Sequence, residues 1–173
     1  MVTINDRMYS LMLTCYGNGM SPSRFPYYAY VFQRACLETG YVFKLRTNGL
    51  SCVTLDGYVG EAISLGIIQR ESQWDKFELT PQGVITYEDI ALTADHWDKL
   101  QYSKSVLDSL DNSELEFLCL ADKLVQDMVA SGGSTALIEG ADSIRNILQN
   151  LSSEYSKENF NSVLKFFREV QEL

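Results

Sequence analysis

The chain has 173 residues, enough for one domain or two small ones with a real core. Its hydrophobic fraction of 46% and its eighteen Tyr and Phe residues exclude a mainly disordered chain. The net charge of −9 is uneven: residues 1–90 carry seven basic against nine acidic side chains, and residues 91–173 carry seven against fourteen. A surface with that balance repels nucleic acid unless a local basic patch overrides it.

In chain order, Thr3 is placed to cap a first helix over residues 4–16, with Ile4, Met8, Leu11, Met12 and Cys15 on one face. Gly17-Asn18-Gly19 ends it. Ser21-Pro22 reads as an N-cap followed by proline at the first helical position, and the second helix is expected to reach about Thr39. Phe25, Tyr28, Ala29, Phe32 and Cys36 form its inner face, while Tyr27 and Tyr30 point elsewhere, toward the C-terminal helices. Tyr41 to Arg46 alternates, which predicts a short extended segment, and Asn48-Gly49 is a turn signal.

Thr54 is the expected cap of a third helix whose Leu55, Tyr58, Val59, Ala62 and Ile63 share a face. Gly66 stands where a left-handed stop is needed. Ile67–Arg70 and Phe77–Leu79 predict two short strands joined by a polar tip, residues 71–76. Thr80-Pro81 opens a helix to about Thr93. Beyond it the chain reads as all helical. One helix runs from Asp95 or Trp97 to Leu110, and another is capped by Asp111–Glu114 and runs to about Ala130. Ser131-Gly132-Gly133-Ser134 breaks the chain, and two more helices follow, one inward through Leu137 to Leu151 and one capped by Ser156 with Phe160, Val163, Leu164, Phe167 and Val170 inward. The expected class is mainly α with a small β-hairpin, a winged helix-turn-helix core plus a C-terminal helical bundle. The expected division is a winged-helix-like domain over 1–93 and a helical region over 94–173 packed on it.

Catalytic chemistry finds little support in the residues. The sole histidine, His96, lies in TADHWDK at a helix start, where a capping or packing role outweighs that of a general base. The carboxylate pairs Glu88-Asp89, Asp95/Asp98 and Glu114/Glu116 read as solvated helix faces. Cys15, Cys36, Cys52 and Cys119 lack metal-ligand spacing and read as reduced, largely buried thiols of a cytoplasmic protein. The Ser-Gly-Gly-Ser run lacks the Gly-Lys-Ser/Thr ending of a phosphate loop. The expectation is therefore no enzyme, no cofactor and no metal. The N-terminus lacks the pattern of a signal peptide, and no apolar run has the length of a membrane span. Gly57 and Gly60 inside the third helix each cost about 1 kcal/mol relative to alanine, and tight packing against the second helix is the favoured reason for them.

The stretch from Met8 to Gly83 resembles a known pattern. Two helices lead to an aromatic-basic segment (YVFKLR), a turn, a helix, and then LGII…FELTPQG. This is similar to the winged-helix core of the Panacea group, the SocA-like antitoxin domains, and of YwgA-type bacterial proteins. The chain departs from them at Asn48-Gly49-Leu50-Ser51, where that group has a Gly-Pro turn. The resemblance implies a bacterial or phage regulatory or defence-associated protein that acts by binding another protein, such as a toxin or a defence-complex subunit. It supplies no catalytic residues.

Two functional readings follow. In the first, an antitoxin-like or adaptor protein contacts its partner through the third helix and the hairpin, with Trp74 at the tip and Lys44, Arg46, Arg70 and Lys76 adding charged contacts. In the second, a DNA-binding transcription regulator places Thr54–Leu65 in the major groove and Arg70 and Lys76 on phosphates. Asp56 and Glu61 on that helix oppose the second reading.

Overall fold

A computed structural model describes residues 5–46, 49–91, 96–130, 132, 165–170 and 172. The chain is mainly helical with two small antiparallel hairpins. In order, the elements are α1 (Asp6–Cys15), α2 (Phe25–Ala35), β1 (Lys44–Arg46), β2 (Gly49–Ser51), α3 (Val53–Ser64), β3 (Ile68–Glu71), β4 (Lys76–Leu79), α4 (Pro81–Ala91), α5 (Trp97–Ser109) and α6 (Asn112–Ala130). Residues 165–170 are also helical.

Local chemistry sets the ends. Asn5 caps α1, its side-chain oxygen accepting from the Met8 amide at 3.0 Å; Thr3 lies outside the described residues. Helix α2 begins later than Ser21-Pro22 predicts. Its proline at the first turn is Pro26, and Arg24 occupies the cap without a side-chain bond. It also stops at Ala35, short of Thr39, because the Gln33 side chain takes over the backbone that follows. The Gln33 amide donates to the Tyr41 carbonyl, and its oxygen accepts from the Tyr41 amide and the Thr39 hydroxyl. Cys36, expected on the inner face, is half-buried.

Cys52 takes the N-cap position of α3, and Thr54, the expected cap, lies inside the helix. Gly66 ends the helix region with φ +67, a conformation that favours glycine. The Thr80 hydroxyl donates to the Gly66 carbonyl and accepts from the Gly83 amide at 3.0 Å, so one side chain closes the hairpin and starts α4. The capping box of α6 is reciprocal: the Glu114 amide donates to Asp111 at 2.8 Å, and the Asp111 amide donates to Glu114 at 2.9 Å.

The two hairpins form separate sheets. Lys44 pairs with Ser51, Leu45 with Leu50 and Arg46 with Gly49. The alternation expected over 41–46 is present: Tyr41, Phe43 and Leu45 are buried, and Val42, Lys44 and Arg46 are exposed. The partner strand β2 is an addition to the expected elements. In the second hairpin Ile68 pairs with Leu79 and Glu71 with Lys76. An isolated bridge adds Met20, between α1 and α2, to the free side of β4. Met20 and Phe77 exchange two backbone hydrogen bonds of 2.8 Å.

The core runs through α1, α2, the buried side of the 41–52 segment, and α5 and α6. Leu11, Phe32, Leu100, Leu107, Leu115 and Leu120 are fully buried, each worth about 1.5–3 kcal/mol of transfer free energy. Helix α2 packs on α1, α5 and α6. The two outlying tyrosines of α2 reach α6: Tyr27 donates to Glu116 at 3.4 Å, and Tyr30 donates to Asp122 at 2.6 Å. Asp122 is itself buried and also accepts from Arg34 at 2.9 Å. Arg34 stacks 5.6 Å over the ring of Phe167. At the other end of α2, Arg24 donates to the carbonyls of Leu107 and Leu110 and to Asn112, closing the C-terminus of α5. Arg7 of α1 donates to the Thr39 carbonyl and to the Tyr58 hydroxyl of α3, tying the linker to both helices. Of the expected inward residues past Ala130, Phe167 and Val170 are buried; Leu137 to Leu151, Ser156, Phe160, Val163 and Leu164 lie outside the described residues.

Three outcomes follow from this packing. Asp122→Ala leaves the Tyr30 hydroxyl and half-buried Arg34 without their acceptor and is expected to cost about 3 kcal/mol in urea unfolding. A Cβ on Gly83 would lie 2.1 Å from the Ile67 carbonyl oxygen, so Gly83→Ala should lower stability by about 2 kcal/mol and loosen the β3–β4 hairpin, read by amide exchange. Burial pushes the Tyr9 phenol up to about 12 from 10.0. Its folded pKa exceeds the unfolded one, so stability tied to the neutral phenol is intact below pH 10 and is lost as pH rises toward 12. Tyr9→Phe should flatten that alkaline loss in a stability–pH profile.

Candidate functional site

Helix α3 is built as two unlike faces. Leu55 and Ala62 are buried, with Tyr58 and Val59 beside them, against α1 and β3. The opposite face carries Val53, Gly57, Gly60 and Ser64, spaced by four, three and four residues, so they form one stripe. All four are exposed, Val53 at 84%. A Cβ added at Gly57 or Gly60 would meet nothing within 4 Å. This corrects the expectation of tight packing against the second helix. Within the described chain nothing compensates the helix cost of either glycine. Asp56 and Ile63 flank the stripe on one side, and Glu61 and Thr54 on the other, all exposed.

The β3–β4 hairpin follows directly. Its tip is preformed: the Glu71 carboxylate accepts from the backbone amides of Gln73 and Trp74, and Asp75 adopts a left-handed φ of 44°. That turn holds Trp74 out at 68% exposure. The hairpin cations are already engaged. Arg70 pairs with Asp75 at 2.5 Å, and Lys76 pairs with Glu78 at 2.7 Å and donates to the Asn18 carbonyl at 3.0 Å.

The five residues singled out from sequence therefore divide. Arg70, Trp74 and Lys76 share one hairpin, which packs on α1, α3 and α4. Lys44 and Arg46 stand exposed on β1 of the other hairpin, which packs on α2 and α6. The fold does not gather all five on one sheet. Val53 and the two outward glycines are the residues that sequence reasoning undervalued. The signal was present, because Gly57 and Gly60 lie on the wheel opposite Leu55 and Ala62.

His96 and the cysteines are the groups singled out from sequence for covalent chemistry. His96 is exposed and left-handed, with φ +64, at the start of α5. Burial pushes the Cys36 thiol up to about 11 and raises the Cys15 and Cys119 thiols further, so each stays a thiol rather than a thiolate at neutral pH. Among the described residues no group of three or more His, Cys, Asp or Glu side chains could hold a metal ion, and no helix is long and apolar enough to cross a membrane.

A cavity of about 440 Å³ opens between the Tyr16–Ser21 loop, the start of α2 and the end of α5. Lys104, Asp108, Arg24 and Tyr28 form its polar wall. Sequence reasoning missed it, because its residues come from segments about 80 positions apart.

Comparison of the chain with protein families, with curated proteins and with solved structures returned no match.

The two tryptophans differ in setting, Trp74 exposed and Trp97 half-buried against Tyr87. Trp74→Phe is expected to remove the acrylamide-accessible part of the fluorescence and shift the remaining emission to the blue. Unchanged acrylamide quenching of the remaining emission in Trp74→Phe would show the tip folded back.

Proposed function

We propose that this chain is a non-enzymatic protein-binding module, antitoxin-like or adaptor-like, of bacterial or phage regulation or defence, acting in the cytoplasm. The observation that carries the reading is the outward face of α3. Two helix-interior glycines face open space beside exposed Val53 and Ile63. Bare backbone of this kind lets a second backbone approach closely. Exposed Trp74 on the adjoining hairpin is an anchor of the type that dominates binding energy.

The order of parts supports a winged-helix reading of the scaffold. Helix α1, the Met20 bridge, α2, α3 and the β3–β4 hairpin follow one another as in that architecture. The tight turn of a helix-turn-helix is replaced, since residues 36–52 and their own hairpin separate α2 from α3. That departure suits a scaffold that does not insert a helix pair into a groove.

The DNA-binding alternative is weaker on electrostatic grounds. Asp56 and Glu61 sit on the exposed side of α3, and Arg70 and Lys76 are paired with carboxylates. A cation paired with a neighbouring carboxylate must exchange that partner for a phosphate, and the carboxylate left beside the duplex repels it.

Two measurements test the proposal together. Gly57→Ala and Gly60→Ala are expected to raise unfolding stability by about 1 kcal/mol each, as exposed helix glycines should. Gly57→Leu and Trp74→Ala should keep the fold by circular dichroism, yet lose the protein that co-purifies with the tagged chain from its native source. Equal recovery by the unmodified chain and both variants would refute this surface. Duplex binding at physiological salt, abolished by Arg70→Glu with Lys76→Glu, would instead favour the regulator.

A further inference from the structure

We propose that the cavity between the Tyr16–Ser21 loop and the end of α5 binds a small monocarboxylate with an apolar body. The inference is independent of the protein-binding surface. It starts from Lys104. Its side chain is 13% exposed and stands in the wall of the cavity, where its ammonium donates to Asp108 at 2.8 Å. An ammonium has three donors, and among the described residues this is the one bond it makes. Its remaining donors are available to an anion that enters the cavity.

Asp108 is engaged through both oxygens. One of its oxygens takes the Lys104 bond, and the other takes the Tyr28 hydroxyl at 2.8 Å. Arg24 is held at the mouth by the Leu107 and Leu110 carbonyls, and its charge remains. The charged lining is thus two cations and one carboxylate, a net +1 in a chain of −9. A single carboxylate brings it to neutrality, whereas a dianionic phosphate would set excess negative charge beside Asp108. Met20, Leu110 and Tyr16 also line it, beside Asn18 and Ser21, and offer contact to an apolar body. A volume of about 440 Å³ falls in the range of small-molecule sites.

Sodium benzoate, titrated into the full chain and followed by amide chemical shifts, tests this. Saturable shifts centred on Asn18, Ser21 and Lys104 are expected in the millimolar range. Benzamide, of the same shape but neutral, should give none, and inorganic phosphate should bind more weakly. Lys104→Gln should weaken benzoate about tenfold, and Lys104→Arg should largely restore it. Absent or unsaturable shifts, equal response to benzamide, tighter binding of phosphate, or unaltered affinity in folded Lys104→Gln would each overturn the proposal. Should Lys104→Gln fail to fold, the contrast between benzoate and benzamide on the unmodified chain decides.

Discussion

The packing of the described chain turns on one buried carboxylate. Asp122 of α6 is 2% exposed, and two α2 side chains converge on it, the Tyr30 hydroxyl and the Arg34 guanidinium. A charge so placed is tolerated only when its lone pairs are filled and a counter-ion is at hand. That requirement fixes the register of α6 against α2. The rest of the interface forms around it. Tyr30 stacks edge-on against Phe43 and Phe167, and Arg34 covers the Phe167 face. Burial and the neighbouring carboxylate both push the Tyr30 phenol upward, so it remains a donor at any physiological pH. Arg34 is held charged as well. Burial works against its charge, and the hydrogen bond and charge of Asp122 outweigh that.

With α2 committed on that side, α1, α3 and the β3–β4 hairpin form the other flank. Arg7 spans α1, the Thr39 linker and α3, and the Met20 bridge fastens the hairpin to the loop between α1 and α2. The hairpin and the outward stripe of α3 are therefore tied to the helices beneath them. The same loop forms one wall of the cavity beside Lys104.

Much of the architecture was legible in local chemistry. The β3–β4 hairpin, the Gly66 stop, the Thr80-Pro81 start and the Asp111–Glu114 capping box all depend on residues a few positions apart, and each appears where its signal stands. The departures arise from interactions that no short window of sequence contains. Helix α2 ends early because Gln33 bonds the backbone of Tyr41. The β1–β2 hairpin was half visible, since the alternation over 41–46 announces burial but three-residue strands carry little periodicity of their own. Gly57 and Gly60 were misjudged because a glycine required by packing and a glycine left bare look alike in sequence. The Arg24, Lys104 and Asp108 wall assembles residues from the start of α2 and from α5, and nothing in either segment alone announces it.

The position of α2 also constrains how such a chain can diversify. It meets α1 on one side and α5 and α6 on another, and Arg24 at its cap and its polar residues Tyr27, Tyr30 and Arg34 all reach partners in the later helices. Exchange of the C-terminal half for an unrelated one by recombination would strand those groups without partners. Change is easier on α3 and the hairpin tip, where substitutions meet open solvent. The fold thus demands that the later helices stay coupled to α2, and it leaves the outward helix and the loop after it to be constrained by what they touch rather than by packing.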